Sequence, residues 1–355
     1  MQTRVARLYG REDIRVETQD MQAPGPGEVL LTMAAGGICG SDLHYYQDGG
    51  FGPVRVREPI ICGHEASGRV QALGEGVSGL ALGQLVAVNP SQPCGHCHFC
   101  LKGQPIHCLD MRFMGSAMRL PHEQGMFRDR LVVPAKQCAT FSDTTSPAEA
   151  ACTEPLAVCL HAVAQAGDLT GAKVLVTGAG PIGLLTIAAA RHAGAGIILA
   201  TDLTDAALER APAMGADRTI NVAKDAEALL PYHDNKGYFD VIFDCSAAAP
   251  ALRAAFACVR PRGTVVQVGV TGDITIPLNA LVGKEILWRG SQRFHDEFAI
   301  AAGLISTRGI DVRPIISHSF PLEEAKFAFE QAGDRSAACK VQPDIFRRMI
   351  FEDKK

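Results

Sequence analysis

The first part of the chain alternates short apolar runs with turn residues. An apolar run at residues 29–33 is followed by glycines at short intervals, at positions 36, 37, 63, 68, 74, 76 and 79. Short extended runs separated by glycine are typical of strands joined by tight turns. This pattern predicts an irregular, mostly antiparallel β domain that forms a partly closed barrel.

The pattern changes after Pro147. The alanine-rich residues 148–166 have high helix propensity and predict a helix that bridges two domains. Apolar strands then alternate with helical segments at residues 173–177, 182–193, 196–201, 205–214, 219–222, 241–245, 250–259 and 264–268. Such alternation predicts a doubly wound parallel sheet covered on both faces, which is a Rossmann-like arrangement.

A third stretch, after Gly283, is mixed, with predicted helices at residues 297–307 and 321–331. It is too short for a domain, so we expect it to return to the β domain. A length of 355 residues also suits two domains. We therefore predict a catalytic domain at 1–152 and 289–355 and a dinucleotide-binding domain at 153–288.

The net charge and the hydropathy of the chain restrict the classes of binding partner that we expect. The formal net charge is −4 with both signs scattered, so the basic surface that nucleic acid requires is not expected. The N-terminal residues do not resemble a signal peptide, and no segment is apolar over the length of a membrane span. We expect a cytoplasmic protein that acts on a small molecule.

Four of the twelve cysteines are clustered in one loop with the spacing C-x2-C-x2-C-x7-C, at Cys94, Cys97, Cys100 and Cys108. Four thiolates at this spacing can enclose a tetrahedral Zn²⁺ that has a structural role. An Fe–S cluster is the competing interpretation, because four thiolates also suit iron. Buried free thiols are disfavoured, because the loop is polar and rich in glycine, proline and histidine.

A glycine motif follows the predicted strand at 173–177 and opens the next helix. The sequence there is G-A-G-P-I-G, which comprises Gly178, Ala179, Gly180, Pro181, Ile182 and Gly183. Between a strand and a helix, these glycines permit a tight turn and close approach of a pyrophosphate to the helix N-terminus. This motif predicts dinucleotide binding.

Asp202 follows the next strand, about twenty residues beyond the glycine motif, where a carboxylate hydrogen-bonds the adenosine ribose. A carboxylate repels a 2′-phosphate, so NAD is favoured over NADP. Arg210 on the following helix leaves NADP open. The alternative role for Asp202 is to cap the helix that begins at Asp205.

Cys39 and His64 are weak metal candidates when each is taken alone, because single cysteines and histidines are more often packed core residues. The flanking glycines and the acidic Glu154 strengthen them. At this point the chain resembles the zinc-containing medium-chain dehydrogenase/reductase family. The resemblance rests on four motifs that occur along the chain in the same order as in the family: residues 63–65, the four-cysteine loop, residues 154–157 and the glycine motif. Residues 39–46 resemble the sorbitol dehydrogenase branch, and 89–97, 110–118 and 236–240 resemble a sugar-acid dehydrogenase.

The resemblance implies a GroES-like catalytic domain and a Rossmann NAD-binding domain. It also implies that Cys39 and His64 bind a catalytic zinc, with Glu65 as a close ligand and Glu154 as a direct or water-mediated one. Together with the four-cysteine loop, this gives two zinc ions per chain. The implied reaction is hydride transfer between a hydroxyl group and the nicotinamide.

The same resemblance assigns further roles. Ser41 and His44 relay the released proton, Tyr45 lines the substrate pocket, and Val268 and Arg293 contact the cofactor. The alternatives are that Ser41 caps a helix, that His44 lies on its outer face, and that Tyr45 is core packing.

A sugar acid carries a carboxylate that needs a cationic partner when buried. Arg112 and Arg293 are the candidates, with Arg119 behind them. A polyol such as sorbitol or xylitol is the alternative substrate, and a cofactor-binding regulatory protein without catalysis is the alternative of another class. We expect a homodimer or homotetramer, with edge-to-edge assembly through residues 264–268 and 274–276.

Overall fold

The computed structural model describes residues 1–225, 227–270, 272–334 and 336–343. The helices are α1 Gly40–Asp48, α2 His98–Leu101, α3 Pro147–Ala151, α4 Thr153–Ala166, α5 Pro181–His192, α6 Asp205–Leu208, α7 Ala249–Cys258, α8 Leu278–Gly283, α9 Glu297–Ser306 and α10 Ala325–Gly333. Short 3-10 turns lie at Pro105–His107, Ala135–Gln137, Pro212–Met214, Leu230–Lys236, Arg313–Ile315 and Leu322–Glu324.

The strands are β1 Gln2–Gly10, β2 Asp13–Asp20, β3 Glu28–Gly37, β4 Gly50–Phe51, β5 Val54–Arg55, β6 Ile60–Ile61, β7 Glu65–Leu73, β8 Leu85–Val88, β9 Ser91–Gln92, β10 Arg112–Phe113, β11 Arg130–Pro134, β12 Cys138–Thr140, β13 Lys173–Thr177, β14 Ile197–Asp202, β15 Arg218–Asn221, β16 Phe239–Asp244, β17 Val259–Gln267, β18 Leu287–Gly290, β19 Ile316–Phe320 and β20 Lys340–Pro343.

The strands before Pro147 form antiparallel sheets. A five-stranded sheet has the order β11-β3-β7-β8-β12, and a three-stranded sheet has the order β2-β1-β6. Their inward-facing apolar side chains form two clusters, one around Leu31 and Met33 and the other around Ile60 and Phe127. The predicted irregular β domain is thus present.

The second region is a six-stranded sheet with the order β15-β14-β13-β16-β17-β18. All of its strand pairs are parallel. The central strand β13 has four buried residues out of five, as expected for a strand covered on both faces. The chain order reverses between β13 and β16, and ligands of such sheets bind at the carboxyl ends of the strands at this point.

The C-terminal elements pack on the first domain. The Ile38 N–H at the end of β3 donates to the Val341 carbonyl of β20 at 3.0 Å. Phe329 of α10 lies against Tyr46, with ring centroids 5.2 Å apart. The chain therefore returns as the sequence pattern predicts, while the boundaries at residues 152 and 289 stay a prediction.

Three predicted helices differ from the structure. The one expected over residues 321–331 is a 3-10 turn at Leu322–Glu324 followed by helix α10 at Ala325–Gly333. The helix expected over residues 148–166 is two helices, α3 and α4, with the break at Cys152. The helix expected over 205–214 ends at Leu208 and is followed by a 3-10 turn that begins at Pro212. A proline lacks the N–H that a helix interior requires, which accounts for the shorter helix.

Within the described part of the chain, no helix has both the length and the apolar character needed to cross a bilayer.

Candidate functional site

Cys39 is placed by the start of helix α1. It is the residue that precedes the helix, and Asp42, three residues on, accepts the Cys39 N–H at 3.0 Å through Oδ2. The other oxygen of Asp42, Oδ1, accepts the Gly63 N–H at 3.2 Å. Asp42 is fully buried, so its carboxylate joins the helix start to the segment that carries His64.

His64 follows Gly63, whose φ is +91°. A Cβ at Gly63 would lie 2.4 Å from the Phe127 ring, so only glycine lets the chain turn there. His64 Nδ1 lies 3.8 Å from Asp42 Oδ1 and makes no hydrogen bond to any residue that the structure describes. Burial lowers the pKa of His64, but Asp42 and Cys39 raise it more, so the pKa lies well above its usual value.

Glu65 forms a buried ion pair with Lys340. The Lys340 ammonium donates to Glu65 Oε1 at 2.9 Å and Oε2 at 2.8 Å. The two side chains are 3% and 1% exposed, which makes the pair almost fully desolvated. A Cβ at Gly37 would lie 1.9 Å from Glu65 Oε2, so the glycine provides the space for the carboxylate.

The three side chains Cys39, His64 and Glu65 come together. One donor atom from each lies within 4.8 Å of the others. A thiolate, an imidazole and a carboxylate are ligands that Zn²⁺ accepts, with a fourth position left open in catalytic sites. The donor set therefore fits a zinc ion.

Glu154 lies at the start of α4 and is buried. It is not among the donors that meet within 4.8 Å in the described residues. Burial raises its pKa to about 7, and His64, Glu65 and Arg293 all act on its charge. It therefore borders the cluster without joining it.

The four-cysteine loop forms a second donor cluster, and all four sulfurs lie within 4.8 Å of one another. The Sγ atoms of Cys97 and Cys100 are 3.5 Å apart. Backbone N–H groups of Cys94 and Asp110 donate to Cys108 Sγ at 3.2 and 3.3 Å, as suits a thiolate. Backbone donors, first that of Cys100, lower the pKa of Cys97 to about 6. This chemistry fits a tetrahedral metal.

The glycine motif forms a turn, and each of its three glycines suits its position for a different steric reason. Gly178 has φ +89°, and a Cβ there would lie 3.0 Å from the Ser246 nitrogen. A Cβ at Gly183 would lie 1.8 Å from the Gly178 oxygen, so this glycine permits close helix packing. Gly180 caps α5 and faces open space, where a pyrophosphate can approach. Pro181 and Ile182 are the first two residues of α5.

Asp202 lies at the end of β14, beside this turn. Its Oδ2 accepts the Ala179 N–H at 2.7 Å, and its Oδ1 accepts the Leu203 N–H at 2.7 Å. Thr204 is the residue that caps α6, so the alternative role of Asp202 as that helix cap is wrong. Arg210 donates to the Ala206 carbonyl at 3.2 Å.

Val268 and Arg293 follow the ends of the sheet strands. The Val268 N–H donates to the Asp244 carbonyl at 2.9 Å, beside the point where the strand order reverses. Arg293 has φ +50°, and its guanidinium lies over the Phe113 ring at 4.0 Å. Phe113 in turn lies 5.5 Å from the His64 ring. Burial lowers the pKa of Arg293, and the charge of Glu154 opposes that effect. Arg293 therefore borders the candidate metal cluster.

Helix α1 carries the three other predicted residues. Tyr45 is buried, and its hydroxyl accepts the Ala117 N–H at 3.3 Å. His44 is on the outer face, 2.9 Å from Asp48 and stacked on Phe51. Ser41 is half-buried in the first turn. Cys39 is the N-cap residue of this helix, and the Asp42 carboxylate accepts the Cys39 N–H. The alternative in which Ser41 caps the helix is therefore wrong.

The structure does not bring Arg112 into this site. Neighbouring strand residues point to opposite faces, and Phe113 is the one that faces His64. The Arg112 side chain is 58% exposed and donates to Glu123 at 2.7 and 3.1 Å. Arg119 pairs with Asp110. Arg112 and Arg119, two of the three arginines expected to bind a substrate carboxylate, are thus paired with acidic neighbours.

Sequence reasoning did not identify Asp42, Lys340 or Phe113 as parts of this region, nor Met118, whose Sδ accepts a hydrogen bond from Arg293. Asp42 had a local signal, since an acidic residue three positions after a helix cap is typical of a capping box. Lys340 had none, because it lies 275 residues from Glu65 along the chain.

A dinucleotide-binding parallel sheet, joined to a β domain with two zinc-binding donor clusters, is the organisation of a zinc-dependent, nicotinamide-dependent dehydrogenase. The family model described as the alcohol dehydrogenase GroES-like domain matches residues 25–143, and the one described as zinc-binding dehydrogenase matches 181–307. The chain belongs to the zinc-containing medium-chain dehydrogenase/reductase family.

Individual relatives extend over nearly the whole chain. L-idonate 5-dehydrogenase (NAD(P)(+)) of Escherichia coli is 38% identical and covers 96% of this chain and 98% of the relative. Human sorbitol dehydrogenase is 34% identical, and the match covers 91% of this chain and 90% of the relative. The crystal structure of the Escherichia coli L-idonate 5-dehydrogenase superposes with a TM-score of 0.92, covering 97% of this chain and 99% of that one.

Proposed function

We propose that this dehydrogenase oxidises a secondary hydroxyl of a sugar acid of the L-idonate type, with NAD as the preferred acceptor of the hydride. The observation that carries the substrate class is Arg293. Its guanidinium borders the candidate metal cluster, stacks on Phe113 and donates at 3.1 Å to the weak acceptor Met118 Sδ. Among the described residues, no carboxylate lies within ion-pair distance of Arg293. A substrate carboxylate would supply that partner.

In this proposal Cys39, His64 and Glu65 hold the catalytic zinc, with Glu154 at its border. A bound Zn²⁺ lowers the pKa of a hydroxyl group that it polarises. Asp42 orients His64 and the start of α1, and Lys340 compensates the charge of Glu65. Residues Cys94, Cys97, Cys100 and Cys108 hold a second, structural zinc.

The protein also has to remove a proton from the hydroxyl. Ser41 lies in the first turn of α1, and His44 lies one turn further on, toward solvent and 2.9 Å from Asp48. Residues three apart on a helix share a face, so these two side chains can pass a proton outward. Tyr45 contributes the adjoining wall of the pocket.

The cofactor part of the proposal rests on Asp202 beside the glycine turn. Its carboxylate disfavours a 2′-phosphate, whereas Arg210 is directed to a backbone carbonyl of its own helix turn. The pyrophosphate would bind at Gly178, Gly180 and the start of α5, and the nicotinamide near Val268 and Arg293.

Replacing Arg293 with Gln tests the substrate class. We expect kcat/KM for L-idonate to fall roughly 10- to 100-fold, since a charge-assisted hydrogen bond contributes about 1.5–3 kcal/mol. Sorbitol, which has no carboxylate, should lose much less. The matched control is Arg112→Gln, which should leave the idonate-to-sorbitol ratio unchanged. Assays with NAD and NADP test the cofactor preference in the same panel.

The proposal is wrong if Arg293→Gln leaves that ratio at the wild-type value. A polyol substrate is the second candidate, supported by the sorbitol dehydrogenase relatives. A wild-type enzyme that turns over sorbitol faster than idonate would favour it.

We also propose that the chain assembles through the free edge of β18. Strand β17, which the sequence singled out as the edge, lies between β16 and β18 and is therefore not exposed for pairing. Leu287 and Trp288 on β18 are 50% and 38% exposed. Among the described residues no strand pairs with the outer edge of β18, and an apolar edge of this kind favours pairing with a second copy. Sedimentation equilibrium should show a dimer or larger assembly for wild type and a monomer for Trp288→Asp, and an unchanged mass of the variant would contradict the proposal.

A further inference from the structure

A cavity in the first domain shares no lining residue with the candidate catalytic site. Its volume is about 320 Å³. Its lining residues include Met21 and Gln22, which follow β2, Leu131 and Val132 of β11, and Arg128. The cavity is large enough for a small polar molecule.

Arg128 is an unusual charge in this domain. Its Nε and Nη2 both donate to one acceptor, the Gly125 carbonyl, at 2.9 and 2.6 Å. Within residues 1–225, 227–270, 272–334 and 336–343, no carboxylate oxygen lies within 4.0 Å of the guanidinium. Nearby arginines differ, because Arg4 pairs with Asp129 and Arg7 pairs with Glu17.

The position of Arg128 is set by its neighbours in the chain. Phe127 is fully buried, and a backbone bridge joins Arg128 to Val5 of β1. Burial, and to a smaller extent the charge of Arg7, lower the pKa of Arg128 to about 10. A partly desolvated cation without a counter-charge is costly to keep in a protein.

Glu28 also lines the cavity and is the acidic residue among its lining residues. Its Oε2 accepts the Gly25 N–H at 2.9 Å, which commits the carboxylate to the loop before β3. In the described part of the chain no ion pair joins Glu28 to Arg128, and the Glu28 charge opposes an anion in the cavity.

We propose that this cavity is a binding site for a small oxyanion, a phosphate or a carboxylate. The anion would accept hydrogen bonds from the remaining guanidinium N–H groups of Arg128 and from the Gln22 amide. Arginine suits this role because its planar donors match two oxygens of such an anion. The site is separate from the dehydrogenase reaction, so it does not depend on the proposed function.

Thermal unfolding and calorimetry of the full-length, zinc-loaded enzyme test the proposal. Inorganic phosphate, added at constant ionic strength, should raise the wild-type Tm saturably by about 2 °C or more. Arg128→Gln should lose that rise, whereas the control Arg130→Gln should keep it. The variant Arg128→Lys, which retains the charge without the fork of donors, should bind more weakly. None of these changes should alter kcat.

A carboxylate source is distinguished with gluconate, for which only the part of the Tm rise that Arg128→Gln removes is assigned to this cavity. A rise in Tm with phosphate alone identifies a phosphate site, and a rise with both identifies a general oxyanion site. Glu28→Gln should tighten phosphate binding several-fold, because it removes an opposing charge.

Two results would overturn the proposal. One is an equal phosphate response in wild type and Arg128→Gln. The other is a pairing of Arg128 with Glu28 in solution, which would appear as a lower Tm of phosphate-free Glu28→Gln and as non-additive effects of the two substitutions.

Discussion

The two donor clusters of this chain are built in opposite ways. The four cysteines of the loop lie within fifteen positions of one another and are all at least partly accessible except Cys108. The Cys39, His64 and Glu65 cluster draws its donors from a helix start and a strand start. It is supported by Asp42 and by Lys340, which enters from the far end of the chain.

The difference concerns the electrostatic environment. The loop supplies four sulfurs of one chemical type, and backbone N–H groups stabilise them. The second cluster combines a thiol, an imidazole and a carboxylate around fully buried Asp42 and Lys340. A local cluster of equal ligands suits a structural ion, whereas a mixed cluster with an open position and buried charges suits catalysis.

Removal of a ligand from the mixed cluster should have the largest effect. In Cys39→Ser, we expect kcat/KM to fall by at least about 1,000-fold, equivalent to roughly 4 kcal/mol of transition-state stabilisation. Steady-state kinetics and metal analysis check this, with zinc content falling from two per chain to one. The control is Cys138→Ser, a thiol outside both clusters. A variant that keeps wild-type kcat/KM would refute the catalytic assignment.

Removal of a ligand from the loop should instead affect stability. In Cys100→Ser, we expect the free energy of unfolding to fall by about 4 kcal/mol or more, because a structural metal contributes directly to folding. The kcat of the folded fraction should stay close to wild type below the lowered Tm. Calorimetry with parallel activity assays measures both. Loss of activity without loss of stability would reverse the roles of the two clusters.

Asp42 tests whether the buried support matters to the mixed cluster. In Asp42→Asn, the side chain keeps its size but loses the charge that faces His64. We expect metal affinity or kcat/KM to fall roughly 10- to 100-fold, the usual cost of a lost partner of a metal ligand. Zinc competition titrations measure the affinity, and the exposed Asp20→Asn is the control. Unchanged affinity and rate would show that Asp42 serves only the start of α1.

The smallest effect on stability is expected for a substitution beside the four-cysteine loop, where that loop faces helices α4 and α9. A cavity of about 320 Å³ is lined by loop residues 103–107, by His161 of α4 and by Glu297 of α9. Burial raises the pKa of Glu297, but the 2.8 Å contact with His161 Nδ1 and backbone N–H groups lower it to about 2.

Because the folded pKa of Glu297 is depressed, its contribution to stability is present above the unfolded pKa of about 4.3 and is lost as the pH falls toward about 2. Glu297→Gln should therefore lower the free energy of unfolding by about 1 kcal/mol near neutral pH and by less at about pH 3. Urea unfolding across that range measures the difference. The exposed Glu285→Gln is the control, and a difference that does not depend on pH would contradict the prediction.

Several features follow from neighbouring residues alone. These features depend only on contacts within one turn or one strand. They are the cysteine spacing, the strand, glycine turn and helix at residues 173–192, and Asp202 at the end of the next strand. Periodicity and local geometry are sufficient for these, and the family resemblance supplied the roles of Cys39 and His64. The prediction of a helix over residues 205–214 was wrong for a local reason too, because Pro212 within that stretch disfavours a continuous helix.

Other features depend on contacts between segments that are far apart in the chain. Lys340 meets Glu65 because β20 packs beside β3, and Arg112 is excluded from the site because Phe113 occupies the inward face of β10. A residue's charge partner depends on which surfaces pack together, since ion pairs form through space and leave no periodic trace along the chain. Motifs therefore identified the metal-binding side chains, whereas the tertiary structure determined which charges surround them and which arginines pair with a carboxylate.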